Sequence, residues 1–166
     1  MALPHRGSPR HSSPLYRFPI STPDGRARFA LCHHQRPQEQ PSAAFPLTLT
    51  TGRLASQWHT MTRTGKIQRL ARQALVPYVD IHPSDAAHQN ISEGECVSVS
   101  SPRGKIMVEA HITDKVTQGV VFMPFHWGDA YAPGNAINTL TNDALDPISK
   151  EPEYKACAVS VTKASQ

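Results

Sequence analysis

Residues 50–63 read TTGRLASQWHTMTR and directly follow the apolar run FPLTL at 45–49. The apolar run predicts a strand, and Gly52 predicts that this strand opens into a turn. The turn carries hydroxyls, an imidazole, an indole and guanidinium groups, which have little use inside a core. The guanidiniums of Arg53 and Arg63 can donate to phosphate, and the indole offers a planar face. The stretch therefore predicts a binding loop for a large polyanion that contains a flat heterocycle.

The composition describes a globular, turn-rich chain. Its 166 residues are 39% hydrophobic and 18% charged, with 15 prolines and 9 glycines. This length supports one domain with its own core, and the many prolines and glycines favour a β-rich fold. No apolar run is long enough to cross a bilayer, and residues 1–13 lack the apolar core of a secretory signal. We therefore expect a cytoplasmic protein without a membrane span.

The three cysteines, Cys32, Cys96 and Cys157, lie far apart and form no Cys-x-x-Cys pair. Their number and spacing argue against an iron–sulfur cluster or a thiolate zinc site. Reduced thiols are expected, with Cys96 and Cys157 packed as small hydrophobic residues. Cys32-His33-His34 could suggest a metal, but adjacent residues cannot easily wrap one tetrahedral ion. No metal ligand is predicted in the chain.

The positive charge of the chain is concentrated around the binding loop. The formal net charge is +4, and no acidic residue occurs between Gln40 and Val79. The basic residues in that interval are Arg53, Arg63, Lys66, Arg69 and Arg72. Such a field favours an anionic ligand, and a nucleic-acid surface is the alternative. The charges share one loop with Trp58 and His59 instead of alternating along a long face, which argues against nucleic acid.

The chain divides into three segments by composition. Residues 1–15 are rich in proline, serine and basic residues and are expected to be a disordered tail or linker. Residues 16–44 form a connecting segment, in which the alternation over 26–31 predicts a strand after a turn at 21–25. Residues 45–166 form the main domain.

The residues of the main domain predict a small β-barrel with short helices. Strands are predicted near residues 45–51, 77–81, 95–101, 104–112, 118–124 and 156–162. The sequence SPRG at 101–104 predicts a hairpin, while 83–89 predicts a short helix and 68–75 a helical turn. The strands at 45–51 and 118–124 each open into a polar loop, which indicates faint internal repetition.

A second polar cluster follows the apolar strand that ends near residue 124. The string FHW at 125–127 supplies another imidazole and indole, and NTLT at 138–141 and EYK at 153–155 follow it. These side chains again combine planar rings with hydrogen-bonding groups. Because this polar stretch and residues 50–63 each follow an apolar strand and carry similar side chains, we expect them to meet at one rim of the domain.

Each residue also has a purely structural interpretation. His59 and His126 can be satisfied histidines, and Trp58 taken singly is more often part of a core. Asn138 can hydrogen-bond its own backbone in a turn, and Lys155 can be a solvated surface lysine. The order and number of the motifs favour the binding interpretation.

The motifs together resemble one family. Thr-Gly-Arg at 51–53, Trp-His-Thr at 58–60 and Thr-Arg at 62–63 are similar to the loop that opens the C-terminal domain of the prokaryotic molybdopterin oxidoreductases. The continuous form WHTMTRTGK at 58–66 is most similar to the assimilatory nitrate reductases. The resemblance covers roughly residues 20–163.

The resemblance implies a mainly β fold, a double-psi β-barrel, that forms part of the site for bis(molybdopterin guanine dinucleotide) and its molybdenum. Asn138 and Lys155 match residues that hydrogen-bond the cofactor in that family, and Phe125 is expected at the substrate funnel. The implied cofactor contacts are Thr51, Gly52, Arg53, Trp58, His59, Thr60, Thr62, Arg63, His126, Asn138 and Lys155. No catalytic residue is expected within the chain.

Two features of such enzymes do not occur in these residues: a protein ligand for molybdenum and the four-cysteine cluster that brings electrons. We therefore expect the last domain of a larger nitrate reductase, inactive by itself, with the iron–sulfur cluster outside this chain. Its expected partners are the remaining domains of the reductase and an electron donor, namely ferredoxin, flavodoxin or an NADH-linked subunit.

Two alternatives stay open at this point. The first is the same domain of a formate dehydrogenase, and the second is a non-enzymatic double-psi barrel that binds protein or nucleic acid. The sequence encoded upstream of Met1 would separate them. A cluster motif with a molybdenum ligand would favour an enzyme, and an unrelated ATPase motif would favour an adaptor.

Overall fold

The computed structural model describes residues 20–31, 33–73 and 76–164. The chain divides into two units, residues 1–35 and 36–166. Every strand and helix assigned in the described ranges belongs to the second unit. None of the described helices is both long enough and apolar enough to cross a bilayer.

The second unit is a closed barrel of six strands in the order β1-β5-β2-β4-β3-β6. The strands are β1 (Leu47–Gly52), β2 (Tyr78–Ile81), β3 (Cys96–Ser101), β4 (Gly104–Ile112), β5 (Val120–Pro124) and β6 (Cys157–Lys163). The helices are α1 (Gln68–Ala71) and α2 (Pro83–His88), with 3-10 turns at Thr64–Lys66 and Ile137–Thr139. The predicted strands of the barrel, the hairpin and the helical segments are confirmed.

Alternation along the strands builds the core. In β1, Leu47, Leu49 and Thr51 are buried, and the residues between them are half-buried, as the two-residue period of a strand requires. The core is largely aliphatic and β-branched, which suits a pleated surface. Its fully buried members include Leu49, Val79, Ile81, Val97, Val99, Ile106, Val121, Met123 and Val159. The core fills the barrel and leaves the strand ends free to carry polar loops.

The strand pairing has an internal two-fold pattern. β1 pairs with β5 in parallel, and β2 pairs with β4 in parallel. The pairs β1–β6 and β3–β4 are both antiparallel. If β1 is exchanged with β4, β2 with β5 and β3 with β6, every pair of neighbouring strands maps onto a neighbouring pair with the same parallel or antiparallel direction. The fold is therefore the double-psi β-barrel that the resemblance implies.

The sequence also showed that β1 and β5 each end in a polar loop. The two-fold pattern does not explain this likeness, because it relates β1 to β4 and not to β5. β1 and β5 are parallel neighbours, with Thr48 opposite Val120 and Gly52 opposite Pro124. Both strands therefore end at the same rim of the barrel. The loop that follows β1 and the long segment that follows β5 leave the barrel side by side, which brings the two polar clusters together.

Two local predictions are wrong. Residues 26–31 form no strand, and Phe29 and Leu31 are exposed. Alternation alone does not make a strand, because no described strand pairs with this segment. Cys157 is buried as predicted, but Cys96 is exposed. Cys96 is the first residue of β3, and burial in that strand begins at the next position.

The predicted turn before residues 26–31 does form. Thr22 Oγ1 donates to the carbonyl of Arg26 at 2.8 Å, and Gly25 has a φ of +66°, which glycine adopts at little cost. The predicted tail, residues 1–15, and Cys32 lie outside the described residues.

The residues just before β1 belong to the barrel unit. Residues 36–44, which the sequence assigns to the connecting segment, contain Glu39. Its carboxylate binds Arg103 of the β3–β4 hairpin and the amide of Ala158 in β6. These contacts attach the segment to the barrel.

Candidate functional site

A cavity of about 260 Å³ lies at the rim where the two polar segments meet. It is lined by His59, Thr60, Phe125, Asn138 and Tyr154. All but Tyr154 are site residues predicted from the sequence. The cavity therefore brings together planar rings, a hydroxyl and an amide from three separate stretches of chain.

A larger groove, of about 450 Å³, lies at the opposite end of the barrel. It is bordered by the start of β1, by α2 and by β6, and none of the predicted site residues lines it. Size alone does not identify a site. We favour the smaller rim cavity because it concentrates side chains that can recognise a ligand.

The loop after β1 has an unusual backbone. His59 and Met61 have φ values of +37° and +58°, in the left-handed region that residues other than glycine rarely adopt. Met61 is buried against Trp127 and Ala132, which form a small second core beneath the loop. This packing stabilises a conformation that the backbone alone disfavours, and such strain is frequent at functional sites.

His126 attaches the loop to the end of β5. Its side chain is fully buried, with 0% exposure. Nε2 accepts a hydrogen bond from the Leu54 amide at 2.7 Å, and Nδ1 donates to the His59 carbonyl. Because Nε2 accepts, the ring is the neutral tautomer with its proton on Nδ1. Burial lowers the pKa of His126 below its ordinary 6.5, against the opposing effect of the His59 carbonyl.

The sequence predicts His126 as a cofactor contact, and the structure places it beneath the loop, bonded to the backbone. Both ring nitrogens are used within the chain and the ring has no exposed surface. In this arrangement His126 holds Leu54 and His59 through its two ring nitrogens and presents no free polar atom at the rim.

Thr51 and Lys155 join the end of β1 to the segment before β6. Thr51 Oγ1 donates to the Tyr154 carbonyl at 2.9 Å, and the Lys155 ammonium donates to the Thr51 carbonyl. The Thr51 hydroxyl is buried and already paired, so it serves the fold. Lys155 is exposed, and an ammonium has three N–H donors. It therefore keeps donors for a ligand at the rim.

Six predicted contacts are exposed on the loop: Arg53, Trp58, His59, Thr60, Thr62 and Arg63. The central carbon of the Arg63 guanidinium lies 6.0 Å from the centroid of the Trp58 ring, at the limit of a cation–π contact. Within the described ranges, none of the basic residues from Arg53 to Arg72 forms an ion pair with a carboxylate. Their charge is therefore available to an anion.

Two predicted residues are placed by close packing. Gly52 faces the Phe122 ring, and a Cβ at Gly52 would come within 2.5 Å of that ring. Glycine at this position therefore allows close packing between β1 and β5. Asn138 lies in the 3-10 turn Ile137–Thr139, whose Ile137 is buried, so the turn is anchored while Asn138 reaches the cavity.

Sequence reasoning missed Gln57, a buried residue that shapes the loop. Its Nε2 donates to the Leu70 carbonyl at 2.6 Å, and its Oε1 accepts from Thr64 Oγ1 at 2.8 Å. In a polar stretch of sequence, a glutamine that will be buried looks the same as one that stays on the surface. Tyr154 also lines the cavity; the sequence places it in the EYK motif but predicts only its neighbour Lys155 as a contact.

The donors at the rim suit a phosphate-bearing ligand with a planar ring. Exposed guanidiniums bind phosphate oxygens, and the His59 ring lies nearly parallel to Phe125, with 6.5 Å between centroids and 26° between planes. The cavity is smaller than the roughly 300–1,000 Å³ of typical ligand sites, so by itself it could enclose only part of a large ligand. In the part of the chain that the structure describes, no group of His, Cys, Asp and Glu side chains could hold a metal.

Residues 47–158 match the family described as molydopterin dinucleotide binding domain. The chain is 42% identical over 142 residues to F420-dependent formate dehydrogenase 1 subunit alpha of Methanococcus maripaludis, a match over 86% of this chain and 20% of that protein. It is 36% identical over 149 residues to the assimilatory nitrate reductase catalytic subunit of Bacillus subtilis, over 89% of this chain and 20% of that protein.

Acetylene hydratase from Pelobacter acetylenicus shares the fold. The TM-score is 0.69 at 17% sequence identity, over 80% of this chain and 21% of that chain. The chain thus spans about a fifth of the length of the relatives it matches. The family match covers residues 47–158, and both relatives are more than 30% identical to this chain along most of its length. This chain therefore belongs to the molydopterin dinucleotide binding domain family.

Proposed function

We propose that this chain forms one wall of the molybdopterin guanine dinucleotide site in a larger molybdenum-dependent oxidoreductase. The rim cavity carries the proposal, because four of its five lining residues are positions where the family resemblance implies a ligand or substrate contact. The match to only about a fifth of each relative agrees with a domain that acts within a larger protein.

In this proposal, the exposed charges hold the phosphates. Arg53 and Arg63 donate to phosphate oxygens, and Trp58 packs a face against the heterocycle. Asn138, which lines the cavity, and Lys155 beside Tyr154 also hydrogen-bond the ligand. The donor types match the acceptors of a pyrophosphate and of a pterin or guanine ring.

The remaining rim residues have supporting roles. His59 offers its ring and Thr60 and Thr62 offer hydroxyls, while Phe125 borders the route to the reacting centre. Thr51, Gly52 and His126 shape the rim. We propose these last three as positioning residues and not as contacts. The polar side-chain atoms of Thr51 and His126 are already hydrogen-bonded within the chain, and the Phe122 ring packs against Gly52.

The bound cofactor would supply redox chemistry at its molybdenum, while this chain binds it, orients it and excludes water. We infer that the chain is inactive by itself. A wall with a cavity of about 260 Å³ cannot bury a ligand that contains two pterins. The iron–sulfur cluster, the molybdenum ligand and the docking site for ferredoxin, flavodoxin or an NADH-linked subunit are proposed to lie in the rest of a cytoplasmic parent protein.

For the parent protein we propose reduction of nitrate to nitrite. The string WHTMTRTGK at 58–66 supports this reaction, as does the Bacillus subtilis relative. Formate oxidation is the second candidate, and the 42% identity to the Methanococcus maripaludis protein favours it. Both candidates use the same kind of cofactor wall, so the choice depends on residues outside this chain.

The test is to assay the purified parent protein with both substrates. Nitrite formation with reduced methyl viologen, without formate-dependent reduction of oxidised viologen, is the expected result. The reverse pattern would assign formate oxidation. Activity of the 166-residue chain alone in either assay would contradict the proposal that it supplies only a cofactor wall.

A further inference from the structure

Glu39 and Arg103 form a two-point ion pair beside the start of β6. Arg103 Nη1 lies 3.0 Å from Glu39 Oε1, and Nη2 lies 2.7 Å from Oε2. Glu39 Oε2 also accepts a hydrogen bond from the Ala158 amide at 3.0 Å. Burial raises the pKa of the Glu39 carboxyl, but the bonds from Arg103 and Ala158 outweigh it and hold the pKa below its usual range. The pair is therefore charged at neutral pH.

The same guanidinium binds the turn that carries Asn138. Arg103 Nε and Nη2 donate to the Leu140 carbonyl at 3.0 and 2.9 Å. Leu140 caps the 3-10 turn Ile137–Thr139. Thr139 also packs against Gly104, where a Cβ would come within 2.5 Å of the threonine methyl. The β3–β4 hairpin therefore holds the turn through both a hydrogen-bonded fork and a close contact.

The carboxylate end of the pair is tied to the segment that carries Lys155. Ala158, whose amide Glu39 binds, pairs with Thr48 in β1. Lys155 donates to the carbonyl of Thr51 in the same strand. One ion pair thus links the turn that bears Asn138 to the start of β6, which directly follows the segment that bears Lys155.

We propose that Glu39 and Arg103 form a clamp that sets the position of Asn138 relative to Lys155 at the rim, so that both are positioning residues for ligand binding. The identity of the ligand rests on the function proposed above. Neither residue lines the rim cavity, so the clamp acts through the Asn138 turn.

The geometry distinguishes this pair from an ordinary surface ion pair. An exposed pair such as Lys163–Glu95, at 3.0 Å, loses most of its attraction to solvent. The clamp is only somewhat less exposed, with side chains at 31% and 16% against 46% and 30%, but it is two-pronged and shares its hydrogen bonds with the Leu140 carbonyl and the Ala158 amide. Arginine is required for this arrangement, since a lysine ammonium has no planar fork.

The test compares Arg103→Lys and Glu39→Gln with the unmodified 166-residue chain, using guanosine diphosphate as the probe. We expect each variant to bind it about tenfold more weakly, because Asn138 must be ordered during binding. Amide exchange at residues 139–142 should be about tenfold faster, as expected when a local segment opens more often. Exchange at Val97 and Val99 in the core should not change.

Glu95→Gln is the matched control, because it removes the acidic partner from a different ion pair of the barrel, Lys163–Glu95. It should leave both the affinity and the exchange at residues 139–142 unchanged. Unchanged affinity and exchange in the clamp variants would overturn the proposal, and so would loss of protection throughout the barrel. If the unmodified chain fails to bind the nucleotide, the proposed function fails, whereas the exchange comparison still decides whether the clamp orders the turn.

Discussion

Replacing His126 with phenylalanine should destabilise the barrel and loosen the loop after β1. Phenylalanine keeps a flat ring of similar size in the buried site, but it can neither accept from the Leu54 amide nor donate to the His59 carbonyl. Each backbone group left unpaired costs about 1–3 kcal/mol, with the lower part of that range applying where water can enter. Since both groups are partly buried, His126→Phe should lower the free energy of unfolding by about 2–4 kcal/mol.

Thermal and urea unfolding measure this change. For a chain of this size, each kcal/mol shifts the midpoint by about 2–4 °C, so the expected decrease in Tm is about 4–16 °C. His88→Phe is the control, because His88 is exposed on α2 and an exposed substitution changes stability by only about 0.5 kcal/mol. A His126→Phe variant that is as stable as this control, with unchanged amide exchange in the loop, would refute the positioning role.

The remaining predictions concern pH and charge. Because the folded chain holds His126 neutral with a lowered pKa, the unfolded chain binds more protons between the two pKa values, so stability rises with pH there. The contribution of His126 should be complete above its ordinary 6.5 and should decrease below it, and urea unfolding of His126→Phe should lack this part of the pH dependence. Arg53→Ala should weaken guanosine diphosphate binding by about 10- to 150-fold if the charged hydrogen bond contributes about 1.5–3 kcal/mol. Arg72→Ala is the control, because it also removes an exposed charge, from the end of α1. Titration should show that it weakens guanosine diphosphate binding by no more than about twofold. Equal losses of affinity in both variants would show that only the net charge matters.

Local periodicity was sufficient to predict the strands of the barrel. β1 and β5 read as apolar runs that end in polar loops, and the hairpin at 101–104 has clear turn residues. Periodicity could not show that β1 and β5 are parallel neighbours, since that pairing joins distant parts of the chain. The double-psi topology was therefore available only through the family resemblance.

The roles of individual site residues were harder to predict. An imidazole in a polar string looks the same whether its nitrogens face a ligand or the backbone. For His126 the difference depends on Leu54 and His59, which the fold brings to it from another loop. The failed strand at 26–31 has a related cause, because a strand needs a partner that the alternation of its own residues does not supply.

The most direct test of a nucleotide-binding rim is a titration of the chain with guanosine diphosphate and, separately, with guanosine, followed by backbone amide shifts. We expect the diphosphate to shift amides in 50–63, around Asn138 and around Lys155, with weaker binding as salt is raised. Guanosine should bind far more weakly, because it has no phosphates for Arg53 and Arg63. Equal binding of the two compounds, or shifts confined to the groove at the other end of the barrel, would contradict the assignment of this rim as the dinucleotide site.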